Sequence, residues 1–556
     1  MTSSGSRTVL GRAPQPSGGG RDGYTGGPAW MWFLPPVLML GLGLWDITRP
    51  SYWRDEAASL TAVHRSFAQL VRTLGHVDAV HGVYYMIMWP VVRVAGSGEL
   101  VTRLPSVVAM AVAAAGVAAL GRRLVSPAAG LASGLIFVIL PQISRYAQDM
   151  RSYAMVAAFG TVATYLLVRA IGTSGRKRGW LAGYAGCMGV MGALNIFGIL
   201  LLAAHAVTVA LVCLRRDDGS VRPSLARLRG ERGGDGGKGG DGREGGDGRK
   251  GGEGKAARSL AAGWVAAAVV AVALASPIIL LGIAQRQTAS WIKPPGLQTF
   301  VKLTQLVGPL PMAAAVVLAV ALGLAASAAS GRAALLAAWP RRLPAVAVPW
   351  LVVPPALLIG VSFALPLYVP RYILYCLPAV ALLAGAGLAA LGQAVGTGFG
   401  RAPEAGLDVL GWATGAVALL FIAVLGLSAQ EAFRAPAGHG DNIRRVDSII
   451  AGQRRPGDAV IYVGWDAHYF TAAYPYGLPQ LDNVGQDKTP AQAANLTGTT
   501  WPAAVVRQRL AGISRVWLVD ASGYPKSRVL SGLHVTRLRA WQIGKIWLVL
   551  YQQKPV

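Results

Sequence analysis

Long apolar runs broken by short polar turns organise most of the chain. A window of about 20 residues, the length a helix needs to cross a hydrocarbon core, picks out about eleven runs, near 30–47, 103–121, 128–146, 153–170, 180–196, 197–214, 260–283, 308–330, 346–366, 372–392 and 407–428. A further run, HVDAVHGVYYMIMWPVVRV over 76–94, is too short to span and rich in aromatics, so the pattern predicts a helix lying in the membrane interface. The pattern changes after 428. GDAVIYVGW (457–465), SRVWLVDAS (514–522) and GKIWLVLY (544–551) are short β-branched and aromatic runs bounded by Gly, Pro and Asp. With helical periodicity near 440–453 and 502–512, they predict a small α/β domain over 429–556.

Composition agrees with a membrane protein, at 53% hydrophobic and 14% charged residues and a mean hydropathy of +0.45. A formal charge of +27 would suggest an anionic polymer partner in a soluble protein. Here it sorts by loop. With the N-terminus cytoplasmic, 25 of the 52 Lys and Arg residues fall on inner segments: the 1–29 tail, Arg122 and Arg123, Arg169 to Arg178, 215–258, 331–343 and the loop at Arg401. Outer connections before 429 hold 12. That bias predicts a multi-pass plasma-membrane protein with its C-terminal domain extracytoplasmic, and it removes the reason to invoke nucleic acid. The Gly-rich near-repeat at 229–255 cannot bury a core, and 217–258 reads as a disordered cytoplasmic loop inside a membrane domain of 30–428. Cys187, Cys213 and Cys376 all sit in apolar runs, as packing residues.

Candidate chemistry gathers on one face. The outer segment 48–102 opens with Arg54, Asp55 and Glu56 directly after the first span and continues to Asp78, His81 and Tyr84. Adjacent acids at a membrane surface are costly unless solvated, paired or used; the plainer reading is a helix start favouring acids through its dipole. Three more polar islands are expected on the same side: Gln148, Asp149, Arg151 and Tyr153; Arg371 and Tyr372; and Arg286, Trp291 and Lys293. Each alone reads as an interface anchor. Arginine also suits anionic oxygens, through its fixed fork of donors, and it is the convergence of the islands that suggests a site. Carboxylates at 55, 56 and 78 suit a hard cation, and a G-K-[ST] ending to the Gly-rich loop is absent.

The order of short motifs resembles a known family. A D-E pair after the first span, His81-Gly82-Val83-Tyr84 where the family usually has HPPL, T-R-L-P-S at 102–106, G-R-R-L at 121–124, Y-x-Q-D-x-R-x-Y at 146–153 and P-R-Y-I-L-Y-C-L-P at 370–378 look like the GT-C glycosyltransferases. The resemblance is to family 39, the protein mannosyltransferases and bacterial aminoarabinose transferases, over about residues 30–390. It implies an integral membrane enzyme that moves a sugar, mannose being the commonest, from a polyprenyl-phosphate donor on the outer leaflet to a hydroxyl on a glycan, lipid or protein, with inversion. It implies Asp55 as general base and Glu56 as its partner, with Arg54 keeping Asp55 ionised. Arg151 and Arg371 would hold the carrier phosphate, Tyr153 and Tyr372 would donate hydroxyls, and Asp78, His81, Tyr84 and Gln148 would line the substrate site; Lys293 joins them by its location rather than by a motif. The expectation is no metal and no cofactor. The rival readings are a transporter or flippase of a lipid-linked sugar, disfavoured by spans nearly free of mid-span acids, and a cell-wall assembly scaffold.

Overall fold

The computed structural model describes residues 28, 30–173, 176–218, 247–329, 343–398, 409–522, 530–531 and 533–553. The N-terminal tail, most of the Gly-rich segment, the basic stretch 331–342 and the loop at Arg401 lie outside the described residues.

Every predicted span is helical, but not every one is long and apolar enough to cross a membrane. Eight helices meet that test, and a ninth is the pair α6 (Pro127–Ile139) and α7 (Pro141–Ala147), bent by 65°. Pro141 starts the second piece, where the missing N–H costs nothing. The other two fall short of the eleven expected. Helix α1 (Trp30–Leu44) has 15 residues, and α9 (Lys177–Leu194) opens on two basic residues and carries five glycines. The expected linker is also shorter than read: α10 (Leu201–Asp218) and α11 (Asp247–Ala284) run into it from both sides, as helix propagation costs less than nucleation.

The outer segment between α1 and the span α5 (Glu99–Leu124) holds three helices, α2 (Arg54–Val63), α3 (Phe67–Leu74) and α4 (Gly82–Ala95). At 14 residues α4 is about 21 Å long, too short to span. The most enclosed span begins as a 3₁₀ turn at Pro370–Cys376 and continues as α15 (Leu377–Gly398); 94% of its most apolar window is buried inside the protein. The last span, α16 (Val409–Arg434), extends six residues past the predicted end.

The C-terminal region is the expected α/β unit. Its five-stranded sheet has the order β2-β1-β5-β7-β6. The predicted runs supply β1 (Ala459–Val463), β5 (Arg515–Asp520) and β7 (Ile546–Gln553). Strand β2 (Asp482–Asn483) and edge strand β6 (Val535–Ile543) were not foreseen; β6 is mostly exposed and carries polar residues throughout. Strands β2, β1 and β5 are parallel, and β7 and β6 are antiparallel. The β1–β2 connection opens with a 3₁₀ segment, Trp465–Ala472, that packs against α2. This unit therefore sits over the outer helices.

Candidate functional site

The chain enters α2 through extended Trp53, so Asp55 and Glu56 occupy its first turn. Two adjacent residues on a helix point about 100° apart, and the two acids meet different surroundings. Glu56 turns inward and is fully buried. Its oxygens accept from Arg103 Nε at 2.9 Å and Nη2 at 2.8 Å, and from Met150 N at 3.0 Å. Burial alone would raise this carboxyl, but the Arg103 guanidinium holds it well below the carboxylate range. Arg103 spends its other donors on the carbonyls of Ile47, Pro50 and Ser51. The pair ties α5 to the chain leaving α1, so Glu56 holds the site together and has no surface for substrate.

The Asp55 side chain is 20% exposed, and its buried Oδ2 lies 3.3 Å from Arg371 Nη2. Arg371 also donates from Nε to Tyr153 Oη at 2.9 Å. Its guanidinium carbon lies 5.8, 5.8 and 5.7 Å from the rings of Trp53, Trp291 and Tyr372, and aromatic faces favour a cation. Tyr372 stacks on Phe197 at 5.0 Å.

Arg151 approaches α2 from beside Arg371. It donates from Nη1 to Ser59 Oγ at 3.2 Å and Tyr85 Oη at 3.3 Å, and from Nη2 to His81 Nε2 at 2.7 Å. Guanidinium only donates, so His81 Nε2 accepts and the ring proton sits on Nδ1. Burial, then the charges of Arg151 and Arg371, push this imidazole well below its ordinary value. The 3.8 Å approach of His81 to Asp78 is therefore not an ion pair at neutral pH. Asp78 accepts from Tyr85 Oη at 2.6 Å, and burial pushes its carboxyl up to about 6 against the pull of Arg151. Arg151 is 7% exposed, and no carboxylate of the described residues lies within ion-pair distance of it. Burial opposes its charge, but Tyr85 and the Asp55 carboxylate keep it firmly protonated.

Several sequence expectations take different places. Arg54 does not face Asp55: its Nε and Nη2 donate to both oxygens of Asp441 and its Nη1 to Asp466 at 2.6 Å, clamping α2 to the C-terminal unit. Gln148 is buried, and its amide caps the carbonyls of Gly43 and Trp45 at the end of α1. Tyr84 packs inward with no hydrogen-bond partner for its hydroxyl among the described residues, and its neighbour Tyr85 reaches Arg151 and Asp78 instead. Lys293 is exposed and makes no ion pair among the described residues; Trp291, two positions earlier, is the residue that reaches Arg371. Arg103, Trp53, Tyr85, Ser59 and Asp441 were not singled out. Arg103 lay inside the T-R-L-P-S motif, and an Arg that early in an apolar span was a usable signal.

Glu56, Asp149 and His439 bring ligand-type atoms within 4.8 Å of one another. The charges there do not suit a cation. Glu56 is held bidentately by Arg103, and Arg145 Nη1 stands 3.5 Å from Asp149 Oδ2. Burial, then Arg145, pushes the His439 imidazole well below its usual value, leaving it neutral.

The family described as Dolichyl-phosphate-mannose-protein mannosyltransferase matches residues 82–226. No curated protein matches by sequence. Among solved structures, ArnT from Cupriavidus metallidurans in the apo state aligns with 93% of this chain and 97% of its own, at 15% identity and a TM-score of 0.54. The same protein bound to undecaprenyl phosphate aligns at the same identity and TM-score over 94% and 98%. The archaeal oligosaccharyltransferase AglB from Archaeoglobus fulgidus aligns at 11% identity and a TM-score of 0.47, over 88% of this chain and 69% of its own. The chain thus has the GT-C fold, and its 82–226 segment is similar to that mannosyltransferase family.

Proposed function

We propose that the protein is a membrane glycosyltransferase that moves a sugar from a polyprenyl-phosphate donor to an acceptor hydroxyl, with inversion and on the extracytoplasmic side. The observation that carries this reading is the meeting of a part-exposed carboxylate, Asp55, with an equally part-exposed guanidinium, Arg371, and a buried one, Arg151, which has no carboxylate within ion-pair distance among the described residues. A buried cation without a contacting carboxylate favours an anion, and a lipid phosphate at headgroup level is one. The 82–226 match to a mannosyltransferase family and the ArnT structure with undecaprenyl phosphate support the same donor class; mannose is the sugar we infer from the family's name.

In the mechanism we infer, Asp55 accepts the proton of the acceptor hydroxyl as its oxygen attacks the anomeric carbon, while the sugar–phosphate bond breaks on the opposite face. Negative charge grows on the departing phosphate, where Arg371 and Arg151 stabilise it. Without donor, Arg371 rests on Asp55; donor phosphate would draw Arg371 over and free the base. His81, neutral and accepting from Arg151, and Tyr85 orient that guanidinium. Glu56 acts by positioning, through Arg103.

The test uses purified protein and a polyprenyl-phosphate sugar, reading release of polyprenyl phosphate. Asp55→Asn is expected to lose at least about 10³-fold in turnover, within the range of general-base removal, with donor affinity kept. Arg371→Ala is expected to weaken donor binding more than acceptor binding. Full activity in Asp55→Asn removes the base assignment, and the absence of any release by the unaltered protein favours a transporter.

A further inference from the structure

A cavity of about 390 Å³ lies between the outer helices and the C-terminal sheet, within the range of about 300–1,000 Å³ typical of small-ligand clefts. Trp53 and the 439–441 turn wall it on the membrane side; Ser522, Gln542, Lys545 and Trp547 wall it on the sheet side. None of the groups in the proposed transfer mechanism uses this space.

The cavity opens beyond the carboxyl end of β5. Ala521 and Ser522 follow that strand, and Gln542, Gly544, Lys545 and Trp547 come from the β6–β7 hairpin beside it, where Trp547 pairs with Asp520.

The lining selects a ligand type. A sugar ring has apolar C–H faces that lie against indole and a rim of hydroxyls that donate and accept. The cavity offers the indoles of Trp53 and Trp547, the Gln542 amide, the Ser522 hydroxyl and the Lys545 ammonium. His439 borders the space but not through its imidazole, which is wholly enclosed with Nδ1 3.9 Å from Glu56 Oε2. Gly440 (φ 119°) and Gly544 (φ 62°) both border the space, and a Cβ on either would meet nothing closer than 4.0 Å. Peptides commonly dock by adding a strand along a sheet edge, whereas this cavity meets edge strand β6 only at its last residues, Gln542 and the turn that follows.

We propose that this cavity is the acceptor subsite and that the acceptor it takes is a saccharide. This rests on the reading of Asp55 as base. Trp53 links the two places: its indole walls the cavity and lies 5.8 Å from the guanidinium carbon of Arg371, whose Nη2 is 3.3 Å from Asp55.

The full-length protein in detergent, carrying Asp55→Asn to prevent turnover, is tested by saturation-transfer NMR with mannotriose, maltotriose and cellotriose, and with a Ser/Thr-containing hexapeptide. At least one trisaccharide is expected to bind. Ser522→Trp, which puts an indole into the cavity, is expected to abolish binding, and Gln542→Ala to weaken it about ten-fold, as for one lost hydrogen bond. Binding of the peptide alone, binding of no trisaccharide, or binding unchanged in both variants overturns the proposal. Transfer assays separate the two readings. Saccharide binding at this cavity without transfer by the unaltered protein sinks the transferase reading and leaves the subsite. Transfer with an unchanged acceptor KM in both variants sinks the subsite alone.

Discussion

Asp55 and Glu56 are neighbours with opposite duties, and their surroundings decide which is which. Glu56 is fully buried against Arg103, so truncating it strands a buried guanidinium, a loss of about 3–5 kcal/mol. Asp55 is partly exposed and makes a single longer contact with Arg371. Glu56→Ala is therefore expected to lower the melting temperature in detergent sharply and Asp55→Asn hardly at all; equal shifts would contradict the division. pH gives a second handle. Glu56 in the folded protein lies well below its ordinary 4.5, so its stabilising contribution is complete above that value and is lost as pH falls below it. Asp78, pushed from 3.8 up to about 6, acts the other way: between these values the folded form holds the proton more tightly, so its contribution improves as pH falls. Buried imidazoles held below 6.5, His81 and His439, act against this as pH falls, because the unfolded chain takes up their protons first. The Asp78 effect is therefore read as a difference: the melting temperature of Asp78→Asn minus that of the unaltered protein is expected to be larger at pH 7 than at pH 5, and an equal gap at both would refute the assignment. The acid pair was legible in the sequence. Its division of labour was not, because the residue that captures Glu56 lies 47 positions away inside an apolar helix.

At the scale of elements, the enclosed span that carries Arg371 is held by glycine. A Cβ at Gly387 would collide with the Ala319 carbonyl of α13 (Leu310–Ala329), and one at Gly385 with the Ser133 backbone of α6. Small residues let helix backbones approach within a membrane, where apolar burial gives no drive to associate. Because 94% of its apolar window is enclosed, this span has little room to shift and carry Arg371 with it. Gly387→Leu is expected to reduce folded yield severely, whereas Gly360→Leu, with nothing within 4 Å of its Cβ, should leave yield and activity unchanged; comparable yields by size-exclusion chromatography would show that the close approach is dispensable. Apolar windows located these helices well because hydropathy is all that a span requires. They did not reveal which span is central, since lipid-facing and protein-facing apolar residues read alike. Nor did they reveal that Gln148 and Arg434 would satisfy carbonyls at the end of α1, because those contacts join segments more than 100 positions apart.

Over the whole molecule, the cluster of Asp55, Arg151 and Arg371 and the C-terminal unit share one face, joined by a polar seam. Arg54 reaches Asp441 and Asp466, Arg444 meets Glu99 at 2.5 Å, and Tyr474 accepts from Tyr52 N at 2.9 Å and donates to Glu99 at 2.8 Å. The sequence assigns both sides of this seam to one face, but their docking is not visible in the charge pattern, because Arg54 and its partners Asp441 and Asp466 lie 387 and 412 positions apart. A single seam means that the side of the membrane taken by the C-terminal unit fixes the side from which donor and acceptor must come. The excess of Lys and Arg on the opposite loops predicts that this face is outside. The three native cysteines lie in apolar helices, two half-buried and one buried, so a cysteine-free background is a modest change. In that background, in intact cells, Ser448→Cys on the exposed face of α17 (Ile443–Gln453) is expected to react with a membrane-impermeant maleimide, and Arg176→Cys only after lysis. The reverse pattern would put Asp55 on the cytoplasmic side, where a donor on the outer leaflet could not reach it, and would sink the orientation together with the proposed substrate supply.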